Sequence, residues 1–329
     1  MWIVAGLIVS ILLAALIYLA CQNGHFQVKR SLEINLPVEA VFAAVLDLKS
    51  WPHWSPWLLH EPETSLDYSE NCLVEGGCYS WDGKVVGAGK VTHLEIQDGR
   101  AIHQQIEFQR PYKAVNQIDW KFENRSGRTL VSWEMNGMMP FLFRFMAKRM
   151  EPMIGRDFEL GLALLGGYLN DAMSHPVLEF IGEEELQDFS YWSIPCNGNL
   201  RQIEAARRSS IDRLRASTAT RMGLSLMLYH QFDPFGAQFQ TEIAVPIANN
   251  TPASNYQQHT FSGGHYWKMT LQGDLKYLPL AWYALATYCR LHKIKTEPTR
   301  PALEIYRDDP VENGGGSPAV TTLYLPIKQ

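Results

Sequence analysis

Metal-binding and nucleotide-binding signatures are missing from this chain of 329 residues. Its five cysteines, Cys21, Cys72, Cys78, Cys196 and Cys289, are odd in number and include no C-x-x-C pair, which indicates neither a zinc site nor a disulfide framework. They read as small apolar packing residues, with one optional bridge between Cys72 and Cys78. The sole approach to a phosphate loop, Gly87-Ala88-Gly89-Lys90, lacks the required spacing and lies between strand-like stretches. No cofactor and no metal is therefore implied. A dense Lys/Arg stripe is also lacking and the net charge is -5, so nucleic acid is excluded as a partner. With 46% hydrophobic residues the chain is not a disordered one. Small molecules, lipids or proteins remain as partners.

Charge is absent altogether from Trp2 to Ala20, "WIVAGLIVSILLAALIYLA". As a helix this run spans roughly 28 Å, enough to cross a bilayer. A cleaved signal peptide needs a basic start and a shorter apolar core, and nothing basic precedes this one. The expectation is a single-pass anchor over residues 1–24, in a bacterial inner membrane. A lipoprotein leader is the alternative, because Leu19-Ala20-Cys21 ends the run as a lipobox does; Tyr18 counts against it. Lys29 and Arg30 follow the span and favour a cytoplasmic body, but two charges do not fix the side.

Residues 25–175 read as one β-rich domain closed by a helix. "HFQVKRSLEINLP" alternates as a strand does, and Pro37 opens a helix with Val38, Val41, Phe42 and Val45 at helical spacing. Four further strand-like stretches follow the Trp-rich link "SWPHWSPW", divided by turns such as Asp82-Gly83, Asp98-Gly99 and Ser126-Gly127. A closing helix, "MIGRDFELGLALLGGYLNDAM", carries Phe158, Leu162, Leu165 and Leu169 on one stripe. Trp51, Trp54 and Trp57 are expected to pack the mouth of the barrel, and Asp47 to end a helix-to-loop turn. His53, His93 and His103 are the acid/base candidates, with structural roles favoured for all three. On "LEINLPVEAVFAAVLDLKSWPHWSPW", "WDGKVVGAGKV" and "DFELGLALL", this region resembles the START-type helix-grip superfamily, in particular its polyketide cyclase/dehydrase-like (SRPBCC) group. The resemblance implies a cavity between a curved antiparallel sheet and the last helix.

Beyond an expected linker at 176–185 the chain repeats itself. Gly198-Asn199-Leu200 corresponds to Gly273-Asp274-Leu275, "LMLYHQFDP" to "LEIYRDDP", and "TEIAVPI" to "TTLYLPI". The reading is two strand-helix-strand-strand units, 186–248 and 258–328, within a domain of 186–329. The fold class is thus α+β throughout. Strand parity separates Leu303 and Ile305, assigned to the helix side, from Glu304 and Tyr306. By the same parity Met227 and Tyr229 are the first unit's counterparts of Glu304 and Tyr306.

"SGGHYWKMTLQGDLKYLPLAWYALATYCR", "PALEIYRDDP" and "TTLYLPIK" resemble the GyrI-like effector-binding family. That resemblance implies a ligand cleft at the junction of the halves, where Glu304 of the Glu-x-Tyr strand, Tyr306, and the helix pair Trp282 and Tyr283 meet a cationic lipophilic compound. Met227 and Tyr229 would line the other side. His265 and Tyr266 either line the cleft or pack across strands. Thr322 stands where a second acid is common in the family, and Glu242 keeps the acid in the first unit. No helix-turn-helix precedes the domain, so direct DNA binding is not implied. The leading expectation is a membrane-anchored binding protein for a lipophilic or amphiphilic molecule. The alternatives are an enzyme, cyclase-like in the first domain or a hydrolase using Glu304 as general base, and an adaptor without a ligand.

Overall fold

The uncharged N-terminal run forms one helix, α1 (Trp2–Cys21), none of whose apolar window is buried within the protein. Among the described residues of this computed structural model, 2–169, 175–198, 200–216, 225–231, 239–247, 256–308 and 320–329, it is the one helix long and apolar enough to cross a membrane. A signal sequence passes the same test. The chain divides into two units, Met1–Asp171 and Ala172–Gln329.

In the first unit β1 (His25–Ile34) turns Phe26, Val28, Arg30, Leu32 and Ile34 inward and the residues alternating with them outward, the period expected of a half-buried strand. Next comes α2 (Val38–Leu46), which buries Val38, Val41, Phe42 and Val45 as its spacing predicts. Two 3-10 turns, Trp51–His53 and Leu58–His60, lead into β2 (Ser65–Tyr68), β3 (Cys78–Asp82), β4 (Ala88–Gln97), β5 (Ala101–Arg110), β6 (Ala114–Arg125) and β7 (Arg128–Met138). A further 3-10 turn, Phe141–Met146, precedes α3 (Ala147–Tyr168). The sheet is antiparallel in the order β1-β7-β6-β5-β4-β3-β2, and α3 packs on β1 and β7. This is the helix-grip architecture. The closing helix begins at Ala147 rather than Met153, with Pro152 inside it; residues 170–173 of the expected helix lie outside the described residues.

Local chemistry fixes these parts together. Arg30 lies on the inner side of β1 across α3, where its guanidinium donates to Glu151 at 2.8 Å and Glu159 at 2.7 Å. Gly155 makes room, since a Cβ there would fall 2.1 Å from Arg30 Nη2. The end of α2 presents four carbonyls without helical partners, and all four are taken. Ala44 accepts from Ser50 Oγ at 2.6 Å, Val45 from Trp51 Nε1 at 2.9 Å, Leu46 from His93 Nε2 at 3.0 Å, and the cap residue Asp47 from the Ser50 amide at 2.9 Å. Trp51 and Trp54 thereby become core residues, each 1% exposed, rather than the mouth of the barrel that the sequence suggested. Their rings meet Trp120 and Trp133, and Trp133 is stacked between Trp120 (4.4 Å) and Phe158 of α3 (4.0 Å). All five cysteines are free, so the optional Cys72–Cys78 bridge is not formed; Cys72 Sγ lies 3.6 Å from the Cys78 carbonyl.

The second unit contains β8 (Val177–Leu186), β9 (Phe189–Gly198), α4 (Leu200–Ala216), β10 (Ser225–Gln231), β11 (Phe239–Ile247), β12 (Gln258–Phe261), β13 (Gly264–Gln272), α5 (Leu278–Leu291), β14 (Ala302–Asp308) and β15 (Val320–Pro326). The expected linker at 176–185 is therefore a strand. Its Glu179, Glu183 and Glu185 are exposed while Leu178 is buried, and outward charge suits an edge strand. The repeat is accordingly longer than the sequence suggested, with two strands before each helix. The sheet order is β12-β9-β11-β10-β14-β15-β13-β8, so the first strand of each repeat pairs with the second strand of the other.

Links of two residues, 187–188 and 262–263, join strands at opposite ends of this sheet. Such a link reaches only about 10 Å, so the sheet curls until its ends meet. Gly263 donates its amide to Asp188 at 2.8 Å, and a Cβ on it would lie 2.1 Å from the Leu186 carbonyl. The face without helices is packed with Tyr191, Leu226, Leu228, Phe261, Tyr266, Leu303 and Tyr324. At its rim Glu184 accepts from Lys268 at 2.7 Å and Tyr324 at 3.1 Å.

The stacked Trp120-Trp133-Phe158 column should carry much of the first unit's stability. Phe158→Ala is expected to cost about 3–5 kcal/mol, read as the shift in denaturant midpoint of the full chain in detergent. A loss below about 1 kcal/mol, the level of an ordinary substitution, would refute a central role for the column.

Candidate functional site

Glu304 sits in β14 between Leu303 and Ile305, and it is 0% exposed. A carboxylate is costly to bury unless hydrogen bonds satisfy it. Tyr229 of β10 donates to Glu304 Oε1 at 2.8 Å, Trp282 of α5 donates its indole N–H to the same oxygen at 2.6 Å, and the Tyr306 hydroxyl donates to Oε2. The Tyr229 and Trp282 rings meet edge to face at 5.8 Å. Arg207 of α4, also buried, places its guanidinium carbon 4.3 Å from the Tyr306 ring centroid.

Register explains why these groups converge. Met227 is directly opposite Glu304, with Leu226 opposite Ile305 and Leu228 opposite Leu303. A local twofold axis passing between Met227 and Glu304 relates the two strands, as the repeat alignment required. Tyr229 and Tyr306 are equivalent about it. Arg207 and Trp282 are equivalent as well, each seven residues beyond the leucine of its Gly-polar-Leu turn. The site is thus pseudo-symmetric in outline and asymmetric in chemistry.

Four of the six expected ligand residues, Glu304, Tyr306, Trp282 and Tyr229, are in mutual contact. Met227 adjoins them as strand partner. Tyr283 is buried one position along α5, about 100° around the helix from Trp282. One expectation is corrected. Glu304 and Tyr306 face the helices, and Leu303 and Ile305 face the aromatic interior of the curled sheet. Arg207 was not anticipated; its equivalence to Trp282 was the available signal. Tyr266 belongs to the interior cluster and His265 pairs with Glu183 at 2.8 Å, which makes both of them packing or cross-strand residues. Glu242 accepts from Tyr191 at 3.2 Å and lies 3.4 Å from His230. The hydrogen bond to His230 lowers its pKa, and that to Glu242 raises the pKa of His230.

In the first unit the Trp column leaves little space. A cavity of about 160 Å³ remains near Phe26, Tyr112, Met135, Met139, Met150 and Met153, and one of about 60 Å³ near Trp81 and Ile106; Trp57 and Phe108 line both. None of the three candidate histidines lines either. His53 stacks on Tyr168 at 5.3 Å, and His103 pairs with Asp119 at 2.5 Å. His93 bridges the Leu46 carbonyl to Gln104, whose side chain also accepts from Trp120 at 3.0 Å. Among the described residues no group of three or more His, Cys, Asp or Glu is arranged to hold a metal ion.

Residues 25–169 match the family described as polyketide cyclase / dehydrase and lipid transport. This is a hydrophobic-ligand-binding helix-grip family. Similar solved structures include CalU16 from Micromonospora echinospora, 16% identical over 45% of this chain and 87% of that one, with a TM-score of 0.32. Another is SAV2435 bound to tetraphenylphosphonium, 19% identical over 46% of this chain and 94% of that one, with a TM-score of 0.35. A third is the Aha1 dimer from Colwellia psychrerythraea, 13% identical over 44% and 95%, with a TM-score of 0.34. No curated protein matches the chain.

Replacing Glu304 by Leu strands three buried donors, each worth about 1–3 kcal/mol when unpaired. Glu304→Leu should therefore destabilise more than Glu304→Gln, which keeps an acceptor; equal unfolding midpoints would refute the hydrogen-bond assignment. Burial lowers the pKa of His93 below its ordinary 6.5, against smaller opposing effects of its backbone hydrogen bonds. The unfolded chain then binds a proton that the native state refuses. Its contribution to stability is full above pH ~6.5 and is lost as pH falls below that value. Unfolding midpoints at neutral and mildly acidic pH should diverge less in His93→Gln than in the unsubstituted chain, and an unchanged slope would exclude His93 as the source.

Proposed function

We propose that this protein is a membrane-anchored binder of lipophilic or amphiphilic molecules, in which Glu304 receives a cationic group. One observation carries the reading: a fully buried carboxylate is surrounded by Tyr229, Trp282 and Tyr306, with the guanidinium of Arg207 against one of those rings. Aromatic faces attract cations electrostatically and serve lipophilic cations best where water is excluded. A ligand cation would take up the position toward Tyr306 and Glu304 that Arg207 borders. Met227 supplies a polarizable apolar wall on the opposite side of the axis. The duplicated layout and the Glu-x-Tyr strand support the resemblance to GyrI-like effector-binding domains. In the first unit the methionine-lined cavity offers an apolar ligand site, and α1 is assigned as the anchor.

Tetraphenylphosphonium is a suitable probe, and tetraphenylborate has similar shape and opposite charge. Calorimetric titration of the full chain in detergent should give saturable binding of the cation and weaker binding of the anion. Glu304→Gln should weaken cation binding about tenfold, or ~1.4 kcal/mol. Equal affinities for the two ions, or an unchanged affinity in Glu304→Gln, would overturn the assignment. Turnover of a bound compound that disappears in Glu304→Gln would instead make Glu304 a general base.

A further inference from the structure

We propose that the end of the first unit nearest α1 is immersed in the bilayer interface through Phe141, Leu142, Phe143 and Phe145, so that the methionine-lined cavity opens toward lipid. The inference rests on reading α1 as a membrane anchor. It adds a second contact with the membrane and a route by which an apolar ligand enters.

The chain places these residues beside the anchor. After α1 ends at Cys21 there are only Gln22, Asn23 and Gly24 before β1. His25 is paired with Met138, and the Met139 amide donates to the Gly24 carbonyl at 2.8 Å. The 3-10 turn Phe141–Met146 follows at once and touches α1. None of its residues is fully buried, and Phe141, Leu142, Phe143 and Phe145 are 41%, 62%, 45% and 47% exposed. Four large apolar side chains on one solvent-facing turn form the kind of patch that marks an interaction surface.

Three neighbours extend the patch into the cavity. Tyr112, Met138 and Met153 are 43%, 49% and 50% exposed, and all three line the cavity of about 160 Å³, which puts its mouth at this end. The Tyr112 ring stacks on Phe143 at 6.4 Å. A tyrosine beside an immersed turn suits the headgroup level, with its ring in the apolar zone and its hydroxyl in water.

Charge favours a lipid surface as the occupant. Lys113, Lys148 and Arg149 are exposed around the turn, and Arg144 lies within it. Of the acids of α3 at this end, Glu151 is engaged by Arg30, and Asp157, which lines the cavity, accepts from Trp57 Nε1 at 3.2 Å. Apolar residues ringed by cations match an anionic bilayer, into which the former insert while the latter meet headgroups. The other end of the unit differs. There the β6–β7 hairpin presents Asn124, Arg125, Ser126 and Arg128, all exposed and polar, at about 30 Å or more along strands that rise ~3.3 Å per residue.

The test uses the full chain in vesicles of phosphatidylcholine and phosphatidylglycerol, in a Cys21→Ser, Cys78→Ser, Cys196→Ser background. A polarity-sensitive fluorophore is attached at Leu142→Cys or, as the control, at Arg125→Cys. Several-fold stronger quenching by bilayer-embedded nitroxide lipids at position 142 than at 125, with protection from aqueous iodide at 142, is the expected result. Equal iodide access at both positions, in protein that stays with the vesicles through a carbonate wash, would overturn the immersed turn while leaving the anchor intact. Protection from both quenchers, with cross-linking between copies, would overturn it in favour of a second copy of the chain. Release of the protein by the wash would remove the anchor reading itself.

Discussion

A single buried carboxylate constrains the second unit. Glu304 stands on the local axis that relates the two repeats, and directly opposite it is Met227. Residues so paired have Cβ atoms about 5 Å apart. Two glutamates at that spacing could not both stay ionised without water, because like charges raise each other's proton affinity. One member of the pair must therefore be uncharged. The surrounding tyrosines can keep their symmetry, since Tyr229 and Tyr306 both donate to the one acid. Beyond them the repeats diverge again, with Trp282 on one helix and Arg207 on the other.

The first unit is organised by a different obligation. The four carbonyls at the end of α2 draw Ser50, Trp51 and His93 inward, and the tryptophans that follow fill the middle of the helix-grip fold. The larger of the two cavities lies where methionines replace indoles. Flexible, polarizable side chains adapt to a variable occupant better than interlocked rings do. The shape of the cavity is thus a consequence of where the stacked column stops.

Much of this was legible in the sequence. The period of two in β1, the helical stripe of α2, the duplication and the equivalence of Met227 with Glu304 follow from spacing alone. The strand β8 was not legible, because its partner β13 lies some 80 residues away in the chain, a pairing no local pattern encodes. Nor was the facing of Glu304. Alternation sorts a strand into two sets of residues, but both faces of this curled sheet are buried, so hydrophobicity cannot say which set meets the helices. Leu303 at 0% exposure and Glu304 at 0% make the point. The tryptophans of the link were read as a mouth for a related reason: composition marks them as packing residues, and only the carbonyls they satisfy fix where they pack.

The crossed pairing of β8 with β13 and β12 with β9 means that neither repeat completes a sheet by itself. Each lends its first strand to the other, as the two arms of a domain-swapped homodimer would. In such a homodimer the residues on the axis are necessarily identical, two methionines or two glutamates. Joining the halves in one covalent chain lifts that identity. A lone acid on the axis, and hence a site that distinguishes one end of a ligand from the other, is open to a fused pair and closed to a symmetric one.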